Sequence, residues 1–392
     1  MEFTFSDRID KLQPSAIREI LKMSQDPNII PFSAGNPAPE AFPVDAVREI
    51  SARVLVDAPI LALQYGVTDG YAPLKATLKS FVKANYGIGR DFDELVVVSG
   101  ATQGIELTAK VLCNEHDTVI CEGPSFIGSL NAFRSYNTHL VGVPLEEDGM
   151  NMEILEEELK KNKNTKFIYV IPNFQNPTGK CMSLAKRKEL YNLACKYNVM
   201  ILEDNPYGDL RFAGEDIPAI KSFDEEGRVI YVGSFSKVLS PGMRVGYLIA
   251  PSKLVNKIVV AKQAQDVHTN VWSQIICDEF MNKYDFKAHL QGLKKIYGER
   301  AELILGEMDK KLAGKVKYTR PQGGLFIYVT LPDEIDMVDF CKRAIVDKAV
   351  AAVPGNTFLV NENEVCHDFR INFSTPTKEQ LVEGISRLAE ML

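Results

Sequence analysis

The stretch SFSKVLSPGMRVGY, residues 234–247, gathers side chains that could do chemistry together. It follows the apolar run RVIYVG (228–233), which places Lys237 in a loop at the carboxyl edge of a strand. Open α/β sheets bind their ligands at that edge. Ser234 and Ser236 offer hydroxyls, and Arg244 offers a rigid fork of N–H donors. An amine ringed by hydroxyls and a guanidinium suits a phosphate-bearing aldehyde, with the lysine forming an imine and its neighbours holding the phosphate. Taken alone, the stretch reads equally well as a surface loop with a solvated lysine.

Three segments upstream bear on that choice. In VMILEDNPYGDL, Asp204 closes an apolar strand and Tyr207 follows it. A carboxylate at the end of a buried strand needs a partner. A pyridine ring nitrogen would serve, since the carboxylate keeps it protonated and turns the ring into an electron sink. A turn cap is the alternative. In VIPNFQNPTGK, Asn176, Pro177 and Gly179 come just past another apolar run. The amide of Asn176 can bond a phenolic oxygen, although turn chemistry also explains NPTG. In SGATQGIE, Gly100, Ala101 and Thr102 lead from a strand into a helix. Backbone N–H groups at such a helix start can cradle phosphate, or the same residues can act as a simple cap.

The elements that must position these groups follow from hydrophobic patterning. Seven short apolar runs lie at 95–100, 118–121, 138–143, 166–171, 199–204, 228–233 and 246–250. They are mostly unbroken, as expected of strands covered on both faces, and helical stretches such as 103–112, 151–160 and 183–196 lie between them. The pattern predicts a seven-stranded, largely parallel α/β sheet. Ahead of it, helices are expected over about 14–24, 45–56 and from 71 onward. Beyond residue 251, long helices are expected over roughly 252–280 and 284–311. The strand-like GGLFIYVT, a helix near 336–348, AVAAVPG, DFRINFS and a last helix from about 377 complete the chain. This second grammar predicts a smaller α+β lobe. The expected division is an arm and part of the small domain over 1–50, a large domain over 51–285 and the rest of the small domain over 286–392.

Composition narrows the class. With 392 residues, 45% hydrophobic and 25% charged, the chain is an ordinary globular protein with room for two lobes. Its formal charge of -7 argues against bulk nucleic-acid binding. The 7 cysteines show no zinc or redox spacing and read as buried thiols in a reducing compartment. The polar opening MEFTFSDRIDKLQPSAIREI has no apolar core of a leader, and no run of apolar residues is long enough to span a membrane. A cytoplasmic protein is expected.

In their order, NPTG, Asp-x-x-Tyr after a strand, Ser-x-Ser-Lys with an arginine seven residues later, and a late FRINF make this chain resemble the class I/II aminotransferases. These are fold type I pyridoxal-phosphate enzymes, and within them it looks most like the 2-aminoadipate and aromatic aminotransferase branch. The resemblance runs from about Ser33 to the C-terminus. It implies that pyridoxal 5'-phosphate (PLP) is held by Lys237, with Asp204 on the pyridine nitrogen and Asn176 and Tyr207 on the phenolic oxygen. It places Ala101, Thr102, Ser234, Ser236 and Arg244 around the phosphate, and the ring of Phe126 against the pyridine. Many relatives carry tyrosine where Phe126 stands, and phenylalanine loses only the hydroxyl. Gly35, Asn176 and Arg370 form the implied substrate-facing set, with Arg370 gripping the α-carboxylate. A guanidinium can do so through two parallel hydrogen bonds. Tyr65 is implied to reach the phosphate of a neighbouring subunit, which makes a homodimer with shared sites.

The implied reaction has two halves. An L-amino acid gives its amino group to the cofactor and leaves as a 2-oxo acid, and a second 2-oxo acid, 2-oxoglutarate by analogy, takes it up. The same machinery serves β-eliminating lyases, because the pocket selects the bond that breaks. A non-catalytic, PLP-binding regulatory protein is the non-enzyme alternative. The implied donors are 2-aminoadipate, aromatic or branched apolar amino acids. The segment 12–40 is expected over the side-chain pocket, with Ile17, Ile20 and Leu21 on one helical face and Arg18 nearby.

Overall fold

The computed structural model describes residues 3–10, 12 and 26–392. The helix expected over 14–24, with Ile17, Arg18, Ile20 and Leu21, lies outside the described residues.

Among the described residues, eight strands form the main sheet in the order β1-β8-β7-β6-β5-β2-β3-β4. They are β1 (Asp93–Val98), β2 (Thr118–Gly123), β3 (His139–Glu146), β4 (Gly149–Met150), β5 (Thr165–Val170), β6 (Met200–Asn205), β7 (Val229–Ser234) and β8 (Gly246–Pro251). All seven expected runs are there, and β4 adds a two-residue strand at the edge. Strands β3, β2, β5, β6 and β7 run parallel. Strand β8 is antiparallel to both β7 and β1. The strands are almost wholly buried because helices cover both faces: Val96–Val98, Val119–Cys121, Phe167–Val170, Ile201–Asp204 and Val229–Val232 are all at or below 3% exposure.

The chain leaves β2 towards β3 on one side, while β5, β6 and β7 build outward on the other. The crevice between the carboxyl ends of β2 and β5 is therefore a topological switch point. Short helix signals are honoured locally. Asn151 and Ser183 cap the helices Met152–Lys161 and Leu184–Tyr197 through their side chains, and Thr377 with Gln380 makes a capping box for Lys378–Ala389.

A second sheet holds β9 (Lys317–Tyr318), β10 (Phe326–Thr330), β11 (Val353–Pro354) and β12 (Asp368–Asn372), in the order β11-β12-β10-β9. The chain near residue 30 joins this lobe: Ile30 N bonds Ala349 O, Ala351 N bonds Ile30 O, and Asn372 N bonds Phe32 O. One expectation is corrected. The single helix over 252–280 is two, Ser252–Gln263 and Val271–Lys283. Between them Val267 has φ +64°, and the side chain of Asn270 caps the second helix by accepting from Ser273 N. Apolar periodicity continues across the break, so the pattern hides it. No helix among the described residues is long and apolar enough to cross a membrane.

Candidate active site

Loops at the carboxyl ends of β1, β2, β5, β6 and β7 meet the segment 33–36 and the second sheet around a cavity of about 290 Å3. Small-molecule sites begin near roughly 300 Å3. Its wall includes Gly35, Ala101, Thr102, Phe126, Asn176, Asp204, Tyr207, Ser234, Ser236, Lys237, Arg244 and Arg370. Residues up to 337 positions apart in sequence thus face one space, as in the bond from Arg370 Nη2 to Ser33 O.

Lys237 extends from the loop after β7 and donates from Nζ to Gly35 O at 2.6 Å. Burial lowers its pKa to about 8, and the positive charges of Arg370 and Arg244 act in the same direction. An amine held that low is a usable nucleophile and base near neutral pH.

Asp204 sits at the end of β6, 3% exposed. Its Oδ2 accepts from the Tyr169 hydroxyl at 2.8 Å, and that hydroxyl accepts from Ser129 Oγ at 2.8 Å. Its Oδ1 is buried without a hydrogen-bond partner among the described residues. Burial pushes the carboxyl up to about 7, while the Tyr169 hydrogen bond pulls it back. A buried carboxylate oxygen with nothing to bind is costly. A protonated aromatic nitrogen would satisfy it.

Arg370 lies on β12, buried, with Nη1 donating to Asn176 Oδ1 at 2.9 Å and Nη2 to Ser33 O at 2.7 Å. Its guanidinium stands 4.3 Å from the Phe326 ring centroid and 5.1 Å from that of Phe358. Burial lowers its pKa to about 10. Among the described residues it has no carboxylate partner inside the protein, so a carboxylate ligand would complete it. Tyr207 is buried beside Phe326 at 5.8 Å, and burial raises its phenol above the ordinary range, against the pull of Arg370 and Asn176.

At the other end, Arg244 reaches Ser236 Oγ at 3.4 Å and Ser99 O at 3.2 Å. Gly100, at φ +81°, precedes the helix Ala101–Leu112. A Cβ there would overlap the Arg244 guanidinium, so the cradle needs glycine. Gly100 supports the cavity from behind and does not line it. Thr102 and Arg244 are exposed, leaving this end open to solvent in the single chain. Anions are favoured at this helix start.

The family profile described as aminotransferase class I and II matches residues 27–388. The chain belongs to this family. This aminotransferase is 38% identical to an aromatic-amino-acid aminotransferase of Thermococcus litoralis, over 99% of this chain and 94% of that one. It is 36% identical to a 2-aminoadipate transaminase of Thermus thermophilus, over 99% and 96%. A crystal structure of Pyrococcus horikoshii kynurenine aminotransferase in complex with PMP superposes with a TM-score of 0.94 at 38% identity, covering 98% of this chain and 96% of that one. The aminotransferase is a PLP-dependent enzyme of fold type I.

Tyr65 stands apart from the cavity. It is 80% exposed, and its ring meets His268 edge-on at 5.7 Å. Tyr169, Ser129, Phe326 and Ser33 belong to the site, and sequence reasoning misses them. Tyr169 lies within the apolar run KFIYVI, where an aromatic residue reads as core. No local signal marks Phe326 or the carbonyl of Ser33.

Proposed function

We propose that this aminotransferase moves the amino group of an aromatic or apolar L-amino acid, or of 2-aminoadipate, to a 2-oxo acid, with 2-oxoglutarate as acceptor. The observation that carries the reading is the unpartnered Oδ1 of Asp204 in the wall of the cavity that also presents Lys237 and Arg370. These three groups fit a ligand with a protonated ring nitrogen, an aldehyde and a substrate carboxylate.

In this assignment Lys237, Asp204, Asn176, Tyr207 and Phe126 hold the body of PLP, while Ala101, Thr102, Ser234, Ser236 and Arg244 take its phosphate over Gly100. Bound there, PLP supplies an electron sink for the charge left at the donor's α-carbon. Arg370 binds the donor α-carboxylate and Gly35 borders it, so the α-carbon is held near Lys237. The Nζ of Lys237 takes the α-proton, and its lowered pKa leaves a large fraction in the free-base form near pH 8. Asp204 keeps the ring nitrogen protonated, a role favoured by a buried site that excludes water. The cavity's remaining lining, Ser33, Asn36, Ile105, Ile171, Pro206, Pro241 and Phe326, carries no charge and is mostly apolar, which favours an aromatic or apolar donor side chain.

We also infer a homodimer with shared sites. Val56, Ile60, Leu63, Tyr65 and Val67 are 61–80% exposed over a short stretch, an apolar surface that suits a partner. The same partner would bring its Tyr65 to the open phosphate end. The expected seam at 51 would cut the helix Val44–Asp57, so the cofactor lobe is assigned to 44–285 and the small lobe to 286–392 with part of the chain before Val44.

An absorbance scan of the purified protein tests the reading, followed by addition of single amino acids without any oxo acid. Conversion of the cofactor band to its amine form, with one equivalent of oxo acid released, is expected first for aromatic donors. Continuous release of ammonia and pyruvate with the band retained would identify a lyase. Absence of any band after incubation with PLP would overturn the assignment of Lys237.

A further inference from the structure

Beneath the wall of the cavity lies a second buried carboxyl that the reaction leaves unused. Glu122, 1% exposed, stands near the end of β2. Its Oε2 accepts from Ile171 N at 3.0 Å and from Gln175 Nε2 at 3.2 Å. Gln175 Nε2 also donates to Pro124 O at 2.8 Å. The other end of the same amide accepts from Thr178 N at 3.0 Å and from Thr178 Oγ1 at 2.8 Å. One carboxyl and one amide therefore fasten together the turn after β2, the end of β5 and the NPTG turn. Each of those three segments places a residue in the cavity wall: Phe126, Ile171 and Asn176.

A purely structural role fits these bonds less well. An apolar side chain at 122 would leave the buried Ile171 N–H and one Gln175 Nε2 hydrogen without this acceptor, so the carboxyl is kept for its bonds and not for packing alone. Those bonds converge on the switch point between β2 and β5, where the two turns must be brought into register. Asn176 in turn accepts from Arg370, so a displacement of the NPTG turn is passed to the carboxylate-binding guanidinium.

We propose that Glu122 is a positioning residue for transamination: through Gln175 it locks the Phe126 turn to the Asn176 turn and so sets the ring wall and the Arg370 grip in mutual register. The titratable groups whose charge reaches it are Asp204, Tyr169 and Cys121, on β6, β5 and β2 itself. Burial pushes its carboxyl up to about 8; the two N–H donors oppose that, and the charge of Asp204 adds to it. Glutamine keeps an acceptor oxygen for Ile171 N and Gln175 Nε2 and is the closest mimic of the clamp. The inference rests on the reading that this cavity holds the cofactor.

The test uses the PLP-loaded enzyme with Glu122→Gln, Glu122→Ala, Gln175→Ala and the double alanine variant, alongside Lys237→Ala. Donor KM and the single-turnover rate are measured, together with the absorption and circular dichroism of the bound cofactor. Glu122→Ala and Gln175→Ala are each expected to lower kcat/KM about tenfold or more and to change the cofactor's circular dichroism. The double variant is expected to be no worse than about the weaker single, because the two residues act as one unit. Glu122→Gln should restore kcat/KM to within about threefold of the parent. If Glu122→Ala does not fold, Gln175→Ala and Glu122→Gln carry the comparison. Unchanged kinetics and dichroism in Gln175→Ala, or additive losses in the double variant, overturn the proposal, while loss of borohydride-fixable cofactor in Lys237→Ala leaves the cavity reading intact. Cofactor still fixed to the Lys237→Ala chain by borohydride overturns both.

Discussion

Strand β7 has a lysine and a buried aspartate near each of its ends, and the two pairs could hardly be treated more differently. Before the strand, Lys221 donates to Asp93 at 2.7 Å and to Asp224 at 2.8 Å, with both the lysine and Asp224 side chains fully enclosed. Asp224 also accepts from Arg228 N at 2.9 Å, Val229 N at 3.0 Å and the Tyr191 hydroxyl at 3.3 Å. Burial works against its ionisation, yet Lys221 and the backbone donors hold its pKa below the ordinary value. After the strand, Lys237 has a backbone carbonyl and two arginines for company. Asp204, on the adjacent β6, has one donor and one orphaned oxygen. Buried charges made to stabilise are paired off completely. Buried charges made to react are left short of partners, and the missing partners describe the ligand.

The sharpest way to break this contrast is to remove one lysine from each end. Lys237→Ala should lower the single-turnover rate of amino-acid conversion by about 10⁴-fold, because it deletes the proton-transferring base. The folded protein should persist with no loss of thermal stability, since the amine is not paired with a carboxylate. Lys221→Met should do the reverse. It leaves Asp93 and Asp224 buried and unpaired, at a cost of about 3–5 kcal/mol in urea unfolding, with kcat per folded enzyme unchanged. A strongly destabilised Lys237→Ala, or a Lys221→Met that unfolds at the parental midpoint, would dissolve the distinction.

A subtler intervention keeps the charge and alters its shape. Arg370→Lys retains a cation beside Asn176 but cannot hold Asn176, Ser33 and a carboxylate in one plane. Donor KM should rise about 10–100-fold with a smaller change in kcat, read from steady-state kinetics with saturating oxo acid. Equal loss in KM and kcat would place Arg370 outside the carboxylate-binding role.

The same contrast explains what the sequence can disclose. Asp204 and Lys237 are legible because a charged residue at the end of an apolar run conflicts with its local context, and such conflicts concentrate at functional sites. Glu122 ends TVICE in the same manner as Asp204 ends VMILED, so a signal for it exists, although no motif draws attention to it. Tyr169 gives no conflict, because a tyrosine inside a strand is ordinary. The seven main strands are legible from their unbroken apolar runs. The reversal of β8 is not, since a buried strand reads the same in either direction and only pairing along Val98↔Gly246 and Ser234↔Gly246 sets it. The break at 264–270 is hidden because helical periodicity resumes beyond it. Tyr65 is legible only by resemblance, as its role depends on a second chain.

The mildest prediction turns on the orphaned oxygen itself. In the protein without cofactor, the Asp204 carboxyl is raised from 3.8 to about 7, so the folded state binds a proton more tightly than the unfolded one. Stability from this group is therefore greatest below pH 4, declines as the pH rises between about 4 and 7, and is absent above 7. Asp204→Asn keeps the acceptor for Tyr169 and removes the ionisation. The cofactor-free variant should then match the parent near pH 4 and exceed it at pH 8 by about 1–3 kcal/mol in urea unfolding. Asp224→Asn is the matching change at the other end of β7. There the lowered pKa makes the carboxylate stabilising, so the same substitution should weaken the protein at pH 8. Opposite signs from one chemical substitution at two buried aspartates would show that the protein solves the two sites for different ends, and equal signs would show that it does not.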